Sequence, residues 1–513
     1  EYYVDMSTIT GWTGTLRQLR IDPEDGTDSG SFSIDYIRIS TSDAAVTYYV
    51  SNSGGNDANS GTSSSAPWKT LAKVSSQVFK PGDKILLKRG DTWNEALYLH
   101  GSGTSASLLE VSAYGTGARP MIKRNGAKED RTFWCRYEMY VKVSSITVRD
   151  AGMGIILFAC SGSNYIDDCI AINIKGLYGT LQPEGPLWSS GFGVGGSTGN
   201  NSSITNSESL NGGACGATNL DRLYIHGAAE VGTTYAGSDY QRATNGNITR
   251  CLFDNSVYSA KLGTSAVMFK HLQAVTMDNC IIQNTPDSGS PDECGIDFED
   301  DNQNVTIQNT VFKNNAGPAI EFLRGGDTLQ VSSNVEIKNC KFIENSWAHI
   351  REDPAEIEIV DWNSPNGPDG INIHDNQYKL ASGCVFFGGD GDKSRCTLFN
   401  NTQVVNPVYN HEPSVYAGAD KFVPGNSAAL SDAAAGDDGS YTVKWEQLSG
   451  PGEVTFDDRN AINTTAHFPS TGTYELRLVA DDGTFFKTDY VTYRVGMTWE
   501  YNNDGDPQGW KVG

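Results

Sequence analysis

The stretch NVTIQNTVFKNN, residues 304–315, decides how this chain is read. Apolar and polar residues alternate through VTI, the polar pair Gln308 and Asn309 interrupts, a second apolar run follows, and two asparagines close it. The same pattern occurs 30 residues earlier as AVTMDNCIIQN (274–284) and 30 residues later as NVEIKNCKFIEN (334–345). Val275, Val305 and Val335 keep that interval, as do Asn279, Asn309 and Asn339. NITRCLFDN (247–255) is an earlier copy and NYIDDCIAIN (164–173) a more distant one. A fixed period of this size marks stacked units that cannot bury an apolar face alone. Strict alternation over short runs marks strands. The sequence therefore predicts a parallel β-helix over residues 46–405, in an all-β chain. Aligning the copies puts Cys251, Cys280, Thr310 and Cys340 in one column, with Cys169 as an earlier equivalent, and alternation points it inward. These are read as buried thiols packed as small hydrophobes. The asparagines that follow suit bends, where left-handed backbone and side-chain ladders occur.

The chain has 513 residues and a formal net charge of −24. Such a surface repels nucleic acid and anionic lipid, both of which need clustered Lys and Arg. No run approaches the roughly 20 apolar residues of a membrane span. No signal peptide is evident and the first residue is not Met, so a processed or trimmed form is expected. The ten cysteines contain no CxxC pair, and their spread permits disulfides without requiring them.

Upstream of the repeats, an opening strand and a Gly/Asn/Ser loop lead into PWKTLAKVSSQV (67–78), which fits a short amphipathic helix. GDKILLKRGDTW (82–93) then reads as a strand. This order resembles the N-terminal cap of secreted right-handed parallel β-helix proteins, many of them polysaccharide hydrolases and lyases. The first coil of a stack needs such a cover over its open apolar end. Residues 441–495, with Trp445, the SGPG turn, GTY and ADDG, resemble a polycystic-kidney-disease-type immunoglobulin-like domain, assigned to 406–496. The resemblance implies a spacer module. WTGTLRQLRIDPEDGTDSGSFSIDYIRI (12–39) is similar to the end of a jelly-roll carbohydrate-binding module, and MTWEYNNDGDPQGW (497–510) to the start of one. Segments 1–43 and 497–513 are therefore expected to belong to binding modules, with Trp12, Trp499 and Trp510 as either sugar platforms or core residues. The chain is expected to act as a monomer or as part of a longer multimodular protein.

Six carboxylates fall within ten residues, 292–301. In GIDFED (295–300), alternation puts Ile296 and Phe298 inside and Asp297 and Glu299 outside. Eleven residues after Asn309, AIEFL (319–323) puts Glu321 outside. Eleven residues after Asn339, HIRED (349–353) puts Ile350 inside and His349 and Arg351 outside. One coil before Asp297, SAKLG (259–263) presents Lys261. The expected outward column is Lys261–Asp297–Glu321–Arg351, with the insertion TPDSGSPDEC (285–294) as a cleft wall. Like charges stacked this closely cannot all ionise freely, so the pair can divide into an acid and a base, as glycoside hydrolysis requires.

The catalytic candidates are thus Asp297, Glu299 and Glu321, and the substrate-binding candidates are Lys261, Arg351, His349 and Trp347. Asp300 and Asp301 fall in the following turn, as solvated residues or a Ca²⁺ contact. LDRLYIHGAAEVGTTYAGSDY (220–240) offers Asp221, His226, Glu230 and Asp239 as an opposite wall. No HExxH or GxSxG occurs. The leading expectation is a secreted hydrolase of a polysaccharide that requires no cofactor. The alternatives are a uronate lyase, with Lys261 as base and Ca²⁺ held by Asp297, Glu299 and Glu321, and a non-catalytic carbohydrate-binding adhesin.

Overall fold

The computed structural model describes residues 44–512, apart from 128–129, 159, 161, 175–189, 196–201, 216–218, 228–233, 238–242, 257–264, 290, 300, 324–330, 361–366 and 502–506. The segment expected to belong to an N-terminal binding module, 1–43, lies outside the described residues. At the other end, Met497–Tyr501 and Pro507–Val512 form an antiparallel pair.

Among the described residues, strands from Thr47–Val50 to Thr402–Gln403 form three parallel sheets of 13, 12 and 11 strands. Through most of the stack, sheet neighbours are three strands apart in sequence, as a coil of three short strands per turn requires. The expected cap is present. The helix Leu71–Ser75 is opened by Thr70, whose side chain accepts from the Lys73 amide, and it buries Leu71 and Val74.

The repeat columns emerge as read. Val275, Val305 and Val335 are buried, as are Cys169, Cys251, Cys280, Thr310 and Cys340. The nine cysteines described at side-chain level are all free. Burial pushes the Cys169 and Cys340 thiols up to about 12. Intact protein should therefore react negligibly with a thiol-directed reagent at these positions until it is denatured, which a timed thiol assay checks. Asn279, Asn309 and Asn339 have φ between 50° and 53°. A second left-handed corner holds Asn255, Asn284 and Asn314. Side-chain amides run along it: Asn314 Nδ2 donates to Asn284 Oδ1 (2.9 Å), and Asn284 Nδ2 to Asp254 Oδ1 (2.8 Å). Asn tolerates this backbone because its short polar side chain finds local partners.

The immunoglobulin-like region has two antiparallel-rich sheets around Trp445, Tyr474 and Tyr493. It is no detached spacer. It lies on the outer face of the 12-stranded sheet, where Phe485 and Phe486 pack with Tyr224, Leu252, Ile281, Val311 and Ile343. Those residues point outward on their strands, so the apolar character of both strand faces has a cause that coil periodicity does not disclose. Beside them Arg477 is buried between two carboxylates. Its Nη1 is 2.9 Å from Glu208 Oε2, and its Nη2 is 3.4 Å from Glu446 Oε2. Arg119 joins the same network, 2.8 Å from Glu446 and 2.6 Å from Asp168.

Candidate active site

The acidic stretch lies on the 11-stranded sheet. Five of its consecutive strands are Ser265–Lys270 (β1), Cys294–Glu299 (β2), Ile320–Phe322 (β3), Ala355–Ile359 (β4) and Val385–Gly388 (β5). Ile296 and Phe298 point inward, and Phe298 stacks on Phe322 at 4.4 Å between ring centroids. That anchors Asp297 and Glu321 on the opposite, outer face. The register pairs Asp297 with Glu321 on adjacent strands, about 4.8 Å apart.

The rest of the column differs from the sequence reading. Met268, not Lys261, stacks on Asp297, because β1 begins at Ser265; Lys261 itself lies outside the described residues. On the other side, Glu358 pairs with Glu321. HIRED is a loop in which Ile350 is half-buried. The coil makes a turn at Trp347–Ala348 before its strand starts at Ala355. The strand residues AEIEI alternate as well as HIRED does, with Ile357 and Ile359 inside. The outward column is therefore Met268–Asp297–Glu321–Glu358–Gly388.

Arg351 nevertheless reaches the pair, from the loop rather than from a strand. Its Nη2 is 2.5 Å from Glu321 Oε1 and 3.0 Å from Asp292 Oδ1, and its Nε is 3.4 Å from Glu358 Oε2. Glu358 Oε1 also accepts from the Ala355 amide (2.9 Å) and from Ser346 Oγ (3.3 Å). Asp297 and Glu321 are both 0% exposed. Both oxygens of Asp297 are buried with no hydrogen-bond partner among the described residues, as is Glu321 Oε2. A buried carboxyl without partners is rare in a native structure and calls for a reason. Desolvation, then the neighbouring Glu299, Glu321 and Asp292, hold Asp297 well above the usual carboxylate range. Desolvation and Asp292 push Glu321 the same way, against the pull of Arg351. Burial also raises Asp292 and Glu358.

The other candidates separate. Glu299 faces outward on β2, with Lys270 Nζ at 3.7 Å. Trp347 is 42% exposed and is held by its indole N–H to the Asn314 carbonyl (3.1 Å). It follows Ser346, whose hydroxyl donates to Glu358, but its own ring N–H is directed to the Asn314 carbonyl. His349 points elsewhere, to the Ser382 carbonyl (2.9 Å). Asp301 is buried and accepts from Gln303 (2.7 Å). Asp300 lies outside the described residues. The opposite-wall reading fails for the residues that can be placed. Asp221 belongs to the 13-stranded sheet and pairs with Arg250 (2.5 Å). His226 belongs to the 12-stranded sheet, 2.7 Å from Glu208 and under the immunoglobulin-like domain. A repeat fold sends neighbouring residues to different faces, and a Gly-rich context does not report which. Glu230 and Asp239 lie outside the described residues. Among the described residues, no group of three or more His, Cys, Asp or Glu could hold a metal ion. No helix among them is long and apolar enough to cross a membrane.

Sequence reasoning misses Asp292 and Glu358. Asp292 sits in the insertion, which the pattern presents only as a wall. Glu358 follows Arg351 by seven residues, and the alternation of AEIEI is the available signal.

Stacked parallel coils, an outward carboxyl column and an inserted loop beside it define a β-helix protein with a built site on one sheet. A family model described as "Right handed beta helix region" matches residues 131–412, and the chain belongs to that family. A PKD-domain family model matches residues 417–495. A lacto-N-biosidase of Bifidobacterium longum subsp. longum is 42% identical over 95 residues, which are 17% of this chain and 6% of that protein. The chain thus matches a small fraction of that relative's length. Among solved structures, a GH136 lacto-N-biosidase from Eubacterium ramulus is 14% identical, with a TM-score of 0.43, covering 70% of this chain and 67% of the other. An alginate lyase from Paenibacillus is 15% identical, with a TM-score of 0.42, covering 64% of this chain and 97% of the other. The β-helix and the PKD-type domain read from the sequence are both matched.

Proposed function

We propose that the chain is a secreted glycoside hydrolase acting on a glycan bound across the outer face of the 11-stranded sheet, over Asp297 and Glu321. The observation that carries this is the pairing of a buried, unpartnered Asp297 with a Glu321 held by Arg351. Asp297 donates its proton to the oxygen of the leaving sugar. Glu321, ionised, acts on the anomeric carbon directly or through a water. Trp347 offers an apolar face for a sugar ring. The reading requires no cofactor. Secretion fits a glycan substrate and a PKD-type domain.

The electrostatics favour hydrolysis over elimination. A lyase must receive a uronate and neutralise its carboxylate. Here Arg351 is engaged by three carboxylates and Lys270 lies by Glu299. A polyanion would add charge to an already acidic patch. An adhesin gives no account of a desolvated carboxyl pair, which costs stability and which a catalytic use would explain.

The test is a glycan panel headed by lacto-N-biosidase substrates and including neutral polysaccharides and uronate polymers. New reducing ends without ultraviolet-absorbing unsaturated products are expected. Unsaturated products from uronate polymers would replace the hydrolase with a lyase, and no product from any glycan would favour the adhesin.

A further inference from the structure

We infer that Arg351 is a positioning residue that divides the two carboxyl roles: its clasp favours the ionised form of Glu321 over that of Asp297, against the burial that opposes both, and so leaves the proton on Asp297. The consequence for catalysis rests on the hydrolase reading above.

The asymmetry is built into the column. Asp297 has apolar Met268 on one side and Glu321 on the other. Glu321 has Asp297 on one side and Glu358 on the other, with the guanidinium reaching across to it. Arg351 presents two edges. Nη2 serves Glu321 and Asp292, and Nε faces Glu358. A planar fork of fixed donors suits carboxyls that come from three separate places in the fold. Asp292 comes from the inserted loop, Glu321 from β3 and Glu358 from β4.

Four carboxyls, three of them fully buried and Asp292 nearly so, crowd together here, and three of them share the one guanidinium. They cannot all carry charge, because an uncompensated buried carboxylate is strongly unfavourable. The proton settles where no donor is available, and both oxygens of Asp297 lack one among the described residues. The other ionisable neighbours do not reverse this. Glu299 adds negative charge beside Asp297, with Lys270 near Glu299 rather than the pair, and the buried Cys294 thiol is itself pushed well up by burial. Glu358 Oε1 accepts from Ala355 and Ser346, and its Oε2 has only the Arg351 Nε, at 3.4 Å, to face among the described residues. Arg351 is 28% exposed, so its clasp closes the cluster toward solvent without being sealed from a ligand. The protons of such a group titrate as a set, and the arrangement of donors decides which carboxyl is last to lose its proton.

The test reads protonation directly, independently of turnover. Infrared difference spectra of the full chain at neutral pH should contain a protonated-carboxyl band that Asp297→Asn removes. In Arg351→Met a further protonated-carboxyl band should appear, and Glu321→Gln on that background should remove it. Arg351→Lys, which keeps a cation, should suppress the further band and serves if the Met variant does not fold. Once a substrate is in hand, the acid limb of the pH–rate profile in Arg351→Met should move upward by roughly 1–3 pH units, the usual effect of one neighbouring opposite charge. A neutral-pH spectrum unchanged by Asp297→Asn overturns the assignment of the proton. An Arg351→Met spectrum with no new Glu321 band overturns the role of Arg351. If the spectra behave as stated while Asp297→Asn turns over glycan at full rate, the clasp stands and the hydrolase reading falls.

Discussion

Asp297→Asn should lower turnover by roughly 10² to 10⁴, the range for loss of a general acid, while glycan binding and the fold survive. The amide matches the carboxyl in size but cannot donate an acidic proton to a leaving oxygen. Little stability should be lost, because among the described residues the wild-type group has no hydrogen-bond partner to give up. The pH profile should change in a defined direction. Burial and the carboxyls around it hold Asp297 well above the ordinary aspartate value. Its catalytic form is therefore the protonated one, and wild-type activity should fall as pH rises through that elevated value. In the variant this alkaline limb should vanish, leaving a low residual rate. Glu321→Gln should cost turnover on a similar scale through loss of the ionised partner. Asp221→Asn is the control. It lies on another sheet, paired with Arg250, and should leave kcat and KM unchanged. Full activity of both Asp297→Asn and Glu321→Gln would remove the site from this face.

The β-helix is legible because its stabilising pattern is periodic. A 30-residue interval repeats in the valines and asparagines, and each copy carries its own in–out alternation. Asp297 and Glu321 are legible for the same reason, since each sits between two inward apolar residues. Reading stops where the period breaks. Counting eleven residues from Asn339 assigns Arg351 to a strand, but the turn at Trp347–Ala348 moves the strand forward to Ala355 and moves Glu358 into the column. Arg351 is a partner of Glu321 as expected, yet it arrives from a loop. Lys261 is displaced by the same kind of shift, with Met268 in its place. Such errors concentrate in the connections flanking the 11-stranded sheet, where lengths vary from coil to coil and propensity gives no register. Burial of the pair is illegible as well, because alternation tells outside from inside and not outside from exposed.

Arg477→Met should destabilise the chain by about 3–5 kcal/mol, the cost of removing one member of a buried ion pair, because Glu208 loses its guanidinium while Glu446 keeps Arg119. Arg477 is 6% exposed, and the carboxylates it faces come from two parts of the fold: Glu208 from the β-helix, Glu446 from the PKD-type domain. Glu208 also accepts from the Thr488 hydroxyl and, at 2.5 Å, from Tyr490. With the cation gone, both glutamates would remain in a seam covered by Phe485 and Phe486 on one side and Leu448 on another. The native network has a pH signature of definite sign. Against burial, Arg477 and His226 hold Glu208 down to about 2, below its ordinary 4.5. A depressed carboxyl contributes stability that is complete above its ordinary value and is lost as pH falls toward the depressed one. The seam should therefore weaken progressively between about pH 4.5 and 2 in the wild type, and far less in Arg477→Met, which has already lost the contribution. Thermal unfolding across that range checks it. Asp432→Asn, at a partly exposed pair with Lys421 inside the PKD-type domain, should change stability by no more than about 1 kcal/mol. A spacer joined only by a linker would give a different result. Arg477→Met would then lower the transition of one domain and leave the β-helix untouched. Because the seam lies on the coils that lead into the carboxyl column, a single shared transition is expected, with both domains lost together.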